Sequence, residues 1–526
     1  MEVKEQGYDE LPYDSLAFDY NRPENLKSCA ALFGMETPAL ENARILELGC
    51  ADGFNLYRFS ETYPKSYTLG VDLSEVQIDN GKKIIKELGL KNMELKAMSI
   101  TDLDESYGTF DYIICHGVFS WVPEFVRDGI IEVSKKLLSE KGVAFISYNT
   151  LPGWNTHRSI RDLMLYHSSY FTNTKDRIAQ SRAVLSFIQD SVKGTDTPYA
   201  KYLKHAVDHI SGITDSYLRH EHLAEENESF YFHEFVDMAK KQKLNYLCDT
   251  NIQKMYAGNL PEGAAEALSK ITDPIKLEQY MDFITNNQFR CTVLCHEGIS
   301  FSRTIQSETL KKFHYCSYIV PKTPKDEVSL TDNSNLVVED TVSKKTMATT
   351  DPSMKAILMS LRENLGNPLT IPEIIDYTKK LAPEARQEVI EVNINTNFPR
   401  LILSNLIKFV EDKPKAIFEI SKKPKVSKFN LLQINRTGYQ GKTTITNALN
   451  SAMALEVTQS SIVKMLDGSR TIAQIESETV ENFKKGVISA NEDGKKIEDE
   501  ASLKKISTIL VSQTLEHMRR NFFLVA

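Results

Sequence analysis

No stretch of this chain stays apolar long enough to cross a bilayer, and its first residues, Met1-Glu2-Val3-Lys4-Glu5-Gln6, lack the basic and apolar regions of a secretory signal. A cytoplasmic protein without membrane insertion is therefore expected. Cysteine is sparse. Seven thiols, odd in number and irregularly spaced over 526 residues, do not form a disulfide framework and are expected to be reduced and mostly buried. Zinc-ligand spacing is missing as well. The nearest approaches are Cys291-x-x-x-Cys295-His296 and the group His205, His209, His220 and His222; neither matches a common site, so no metal is expected. Positive charge is in deficit. A formal net charge of −8 argues against a nonspecific nucleic-acid binder, and the lysine run Lys422 to Lys428 reads as a solvated linker.

What the chain does have is ordinary globular composition, 41% hydrophobic and 25% charged, in a length that should hold roughly two to four domains. Its organising stretch is Arg44 to Gly53, Arg-Ile-Leu-Glu-Leu-Gly-Cys-Ala-Asp-Gly, where a short apolar run stops at a glycine-rich turn. Ile45, Leu46 and Leu48 suit a buried strand, and Asn55 to Tyr63 has helical spacing. Gly49 and Gly53 let the intervening backbone approach a ligand. A second strand, Tyr67 to Val71, ends at Asp72, about twenty residues past the loop, where doubly wound nucleotide-binding folds place a carboxylate on ribose hydroxyls. Glu47 would repel a pyrophosphate, so the pair of carboxylates suits a ligand carrying both a ribose and positive charge.

The pattern continues as helix Glu75 to Leu88, strands Met93 to Met98 and Phe110 to Cys115, helix Glu124 to Leu138 and strand Val143 to Tyr148. Alternating β and α elements predict an α/β fold with a covered parallel sheet. Ligands bind such sheets at the carboxyl ends of the strands, here Gly49 to Gly53, Asp72, Ser99 with Ile100, Cys115 to Val118, and Tyr148 to Trp154. Leu244 to Cys248 and Phe289 to Leu294 are expected as the sixth and seventh strands.

The phrase Glu-Leu-Gly-Cys-Ala-Asp-Gly, with Asp72, resembles motif I of class I S-adenosylmethionine methyltransferases. Asp72-Leu73-Ser74-x-x-Gln77-Ile78, His116-Gly117-Val118-x-Ser120-Trp121-Val122-Pro123 and Ser147-Tyr148-Asn149-Thr150-x-Pro152-Gly153-Trp154 extend the likeness to bacterial methyltransferases that carry a regulatory-type domain. The chain looks most like the rickettsial lysine methyltransferases that modify outer membrane protein B. Relatives usually carry a second glycine where this chain has Phe54. The Asn-Pro-Pro-Tyr type of motif found in enzymes acting on nucleobase nitrogens is absent after the fourth strand.

This resemblance implies a Rossmann-like methyltransferase sheet with a helical insertion and two further, mainly helical, winged-helix-like domains. It implies S-adenosylmethionine, or its product S-adenosylhomocysteine, on Glu47, Gly49, Cys50, Ala51, Gly53, Asn55, Asp72, Leu73, Gln77, Ser99, Ile100, Cys115, His116 and Gly117. His116, Trp121, Tyr148 and Trp154 are expected around an acceptor lysine, with Tyr13 closing over the site. Expected partners are a protein substrate, an outer membrane protein, and a second copy of the chain. The expected divisions are 1–155 and 219–298 for cofactor binding and 156–218 for a dimerising insertion. A middle domain follows at 299–430 and a C-terminal domain at 431–526. Helices are expected at Met354 to Leu365, Ile371 to Lys379 and Glu384 to Val410. Gly438-x-x-Gly441-Lys442-Thr443 mimics a phosphate loop, but its glycine spacing is too short and no strong strand precedes it. A small-metabolite methyltransferase and a degenerate binding scaffold remain alternative readings.

Overall fold

Strands buried on both faces need cover on both sides, and four such strands with a half-exposed edge strand, Met93–Ala97, make the centre of the chain. They are β1 (Arg44–Leu48), β2 (Tyr67–Asp72), β3 (Met93–Ala97), β4 (Phe110–Cys115) and β5 (Leu138–Asn149). With β6 (Leu244–Asp249) and β7 (Phe289–His296) they form one sheet in the order β3-β2-β1-β4-β5-β7-β6. Strands β1 to β5 run parallel, and β7 lies antiparallel to both of its neighbours. The computed structural model describes residues 15–324, 327–436, 443–489, 491–492, 495–497 and 499–526. Tyr13 lies outside the described residues, as do Gly438, Gly441 and Lys442.

Helices α2 (Phe54–Thr62), α3 (Glu75–Leu88) and α4 (Glu124–Leu137) are the crossovers of the parallel sheet. Ser74 caps α3 by accepting the amide of Gln77, and Gly89 closes it in the left-handed conformation. The core beneath the sheet joins Leu46, Leu69, Ile113, Ala144 and Tyr148 to Phe232, Phe235 and Leu294. Strand β5 is longer than expected. It begins at Leu138, directly after α4, because Leu138 pairs with Phe110 before the register shifts and resumes at Tyr112 with Val143.

Three helices follow β5: α5 (Asn155–Ser168), α6 (Thr174–Ser191) and α7 (Pro198–Ser211). They bury a core of their own around Ile160, Met164, Leu185, Leu203, Val207 and Ile210. A short turn, α8 (Asp215–Tyr217), runs into a π-helical turn at Leu218–His222. The chain then returns to the sheet through α9 (Phe232–Lys241), α10 (Glu262–Leu268) and α11 (Pro274–Thr285).

The chain divides into two compact units, one holding 37–56 and 64–299 and the other 17–36, 57–63 and 300–526. The second contains α1 (Pro23–Leu32), α12 (Ser307–Leu310), β8 (His314–Cys316), β9 (Ile319–Pro321), β10 (Leu336–Asp340), β11 (Thr346–Thr349), α13 (Pro352–Glu363), α14 (Ile371–Leu381) and α15 (Gln387–Leu403). The helix expected to reach Val410 stops at Leu403. Asn405 takes a left-handed backbone, and Lys408–Val410 becomes strand β12, paired with β8, so a sheet hydrogen-bond ladder replaces further helix. Later come α16 (Lys428–Ile434), β13 (Thr443–Thr446), β14 (Ala452–Leu455), α17 (Val457–Val463), α18 (Ile472–Lys484) and α19 (Glu500–Arg520). Ile445, Ile462, Ile475 and Leu515 form their shared core.

Candidate functional site

The loop after β1 is shaped by its backbone. Gly49 sits at φ 72°, and a β-carbon there would overlap the Val118 side chain; Gly53 sits at φ 82°. Between them Ala51 also takes positive φ and gives its amide to Asp72 Oδ2 at 2.8 Å. Phe54 is the first residue of α2, directly after this turn. Its amide donates to Asp52 Oδ1 at 3.1 Å as α2 begins.

Asp72, the last residue of β2, accepts a second amide, from Ser74, on Oδ1 at 3.0 Å. Two fixed amides orient the carboxylate at the end of the strand. Leu73 beside it is 41% exposed, an apolar surface next to an acceptor, while Gln77 is buried in the first turn of α3. Ser99 caps the turn Ile100–Asp102, and Ile100 is buried at the end of β3.

Glu47 is only 4% exposed. Asn55 donates to its Oε1 at 3.0 Å, but Oε2 is buried without a hydrogen-bond partner among the described residues. Burial pushes its pKa up to about 8; the Asn55 bond opposes this, and Asp52 and Asp72 add to it. A buried carboxylate with one oxygen unmatched is suited to a cationic hydrogen-bond donor. Burial, Asp72 and Glu47 raise the neighbouring Cys50 thiol, and burial with Glu47 raises Cys115, so neither is a nucleophile.

After β4, His116 Nδ1 lies 2.9 Å from Ser147 Oγ, which also accepts the amide of Gly117 at 2.9 Å. The imidazole packs near Phe145 and edge-on to Phe289, and burial lowers its pKa to about 4. It is neutral at pH 7 and adds no repulsion toward a cation. Trp121 and Trp154 meet edge to face at 5.9 Å, and Trp154 Nε1 donates to Asn227 Oδ1 at 2.8 Å.

Tyr148 does not join this group. Its ring stacks on Phe235 at 4.0 Å, its hydroxyl meets Thr292 Oγ1 at 3.2 Å, and burial raises its pKa. Strand alternation explains the placement, since residues 147 and 149 share the face that carries the His116 contact and residue 148 takes the opposite one. The polar side chain missed at this position is Asn149, 2% exposed, whose Nδ2 has no partner among the described residues and whose amide donates to Ser120 Oγ at 2.9 Å. Counting alternate residues from Ser147 would have found it. Asn227, brought in from far along the chain, left no local signal.

Residues 39–194 match the methyltransferase domain, 214–296 the predicted methyltransferase regulatory domain, and 422–523 the PKMT C-terminal winged helix domain. The structure of PKMT2 from Rickettsia typhi is 41% identical, with a TM-score of 0.89 over 98% of this chain and all of that one. The same protein in complex with AdoHcy gives a TM-score of 0.90. The chain belongs to the PKMT family of methyltransferases. An uncharacterised protein of Rickettsia prowazekii, RP789, is 41% identical over 98% of this chain and 93% of its own length. A shorter one, RP028, is 51% identical over 46% of this chain and 96% of its own length. As a PKMT-family methyltransferase the chain uses S-adenosylmethionine. No helix among the described residues is long and apolar enough to cross a membrane.

Proposed function

We propose that this chain methylates lysine side chains of a protein substrate, an outer membrane protein, in the cytoplasm. The observation that carries the reading is its likeness to PKMT2 along essentially the whole chain, both catalytic sheet and winged-helix part. The resemblance to the rickettsial enzymes supports the choice of outer membrane protein B or a protein like it.

Bound S-adenosylmethionine supplies a methyl group made electrophilic by a sulfonium. Glu47 Oε2 would hold the ammonium of its amino-acid part, Asp72 would accept the ribose hydroxyls, and Leu73 and Ile100 would border the adenine. Gly49 to Gly53 bring backbone within reach. The acceptor enters past Trp121 and Trp154 toward His116, and Asn149 takes the place beside it that Tyr148 does not fill. A free lysine has pKa about 10.4, so only about one in 2,500 is neutral at pH 7. The tryptophan faces attract the incoming ammonium, and exclusion of water favours its loss of a proton. The neutral amine then attacks the methyl carbon in line, the carbon–sulfur bond breaks toward sulfur, and the nitrogen loses its extra proton to solvent.

A homodimer formed through residues 156–218 is part of this reading. Tyr166, Tyr170, Phe187 and Tyr199 on that segment are each more than 60% exposed, which supports a partnered surface. Incubation with labelled S-adenosylmethionine and bacterial outer membrane proteins, followed by peptide mapping, tests the function. Label on lysine is expected, and label confined to small molecules would favour the metabolite reading.

A further inference from the structure

Four arginines of the described residues are less than a tenth exposed, and three of them have carboxylates. Arg290 pairs with Glu278 and Asp282, Arg58 with Glu61, and Arg22 lies 3.7 Å from Glu24. Arg161 of α5 does not. Its Nη2 donates to the carbonyls of Ala224 and Glu225, its Nε is buried without a partner, and no carboxylate of the described residues lies within ion-pairing distance. Burial lowers its pKa, and Asp162 opposes this through space without bonding to it, so a guanidinium taken out of water with no paired carboxylate keeps donor capacity for an anion.

Arg161 is not isolated. Trp154, His157 and Arg161 recur three and four residues apart, on one face of α5. His157 packs against Trp154 at 5.0 Å and lies 6.3 Å from His209 of α7. His222, at the end of the π-helical turn, is 4% exposed, and its Nδ1 has no partner. The π-helical turn packs on α5, and burial, with smaller contributions from His157, His209 and Arg161, lowers the His222 pKa to about 3. Asn227, holding Trp154 through its oxygen, has a buried Nδ2 that is likewise unpartnered. Three buried nitrogens, Arg161 Nε, His222 Nδ1 and Asn227 Nδ2, thus lack partners among the described residues where α5 meets the segment 222–227; the first and last are donors, and His222 is one in its Nδ1–H tautomer. The carboxyl next in the chain, Glu221, is not the missing acceptor: burial alone raises its pKa, to about 7, with no contribution from a nearby cation. Among the described residues no cluster there could hold a metal ion.

We propose that Arg161, His222 and Asn227 form a carboxylate subsite that takes an aspartate or glutamate side chain flanking the methylated lysine. This rests on the reading of the chain as a protein-lysine methyltransferase. It assigns the substrate a chemical pattern: a lysine placed between the tryptophans, with an acidic residue near it in sequence that reaches past Trp154 into the helical insertion.

The test uses the full-length enzyme, S-adenosylmethionine and pairs of synthetic lysine peptides that differ only by glutamate or glutamine at each flanking position in turn, scored by kcat/KM. A glutamate preference of about tenfold or more is expected at one position, the scale of a charge-assisted hydrogen bond. In Arg161→Gln the ratio should fall to about one, with cofactor affinity as the control for folding. Because a buried arginine is being removed, Asn227→Asp serves as the second variant. It keeps an acceptor for Trp154, sets a carboxylate among the donors, and should lose the preference while melting at higher temperature than the parent. Lysines methylated with equal kcat/KM in every pair, or a preference that survives both variants, would overturn the subsite and leave the lysine reading standing. Failure to methylate a lysine in any peptide or in outer membrane proteins would overturn both.

Discussion

Burial raises the Glu47 carboxyl, and under the proposed role of this residue that would couple cofactor binding to acidity. Its pKa of about 8 in the folded chain lies above the ordinary 4.5. Between those values the folded protein binds a proton that the unfolded chain releases, so stability falls as pH rises through this window and is level above it. The slope reaches at most about 1.4 kcal/mol per pH unit. Glu47→Gln should flatten the curve and leave the unliganded variant more stable than the parent at pH 8, while weakening S-adenosylmethionine. Thermal melts across pH, with calorimetry on the same samples, check both halves. Parent affinity should climb with pH toward about 8, approaching tenfold per unit, until the ligand's own ammonium deprotonates. Asp72→Ala should weaken binding by roughly 1–3 kcal/mol in a protein that still folds, as measured by titration calorimetry. The placement of both carboxylates at strand ends was legible in the sequence, because short apolar runs stop at each of them. Asn227 and His222 were not, since nothing local shows that they come to lie beside α5.

Strand alternation decides which side chains of β5 reach the crevice. Tyr148→Phe removes only the bond to Thr292, so it should cost about 0.5–1.5 kcal/mol of stability and leave turnover near that of the parent. Asn149→Ala should do the reverse, lowering turnover more than melting temperature. Trp121→Phe and Trp154→Phe should likewise reduce kcat while sparing cofactor affinity, because they lie on the acceptor side. Kinetics and melts on the same preparations separate these cases, and normal turnover in both tryptophan variants would remove them from the acceptor channel. Most of the central sheet could be read directly, as continuous apolar runs such as Phe110–Cys115 signal strands covered on both faces. Element ends were harder. The start of β5 at Leu138 depends on pairing with Phe110, and the stop of α15 at Leu403 depends on pairing between β12 and β8, both set by residues distant in sequence.

For the whole molecule, the proposed dimer has a direct consequence. Phe187 is 66% and Tyr166 68% exposed, so Phe187→Glu with Tyr166→Glu should convert a dimer to a monomer in sedimentation at micromolar concentration without unfolding the helical core around Leu185 and Leu203. A parent that sediments as a monomer would contradict the assembly. The family match describes an S-adenosylmethionine-dependent protein lysine methyltransferase, and the proposed site gives its carboxylates to the cofactor and its tryptophan pair to the acceptor. The most direct measurement is mass mapping of outer membrane protein incubated with S-adenosylmethionine and either the parent enzyme or Asp72→Ala. The account predicts added methyl groups on lysine side chains with the parent and a marked loss with the variant. Unmodified lysines with an enzyme that binds S-adenosylmethionine normally, or equal methylation by parent and variant, would contradict it.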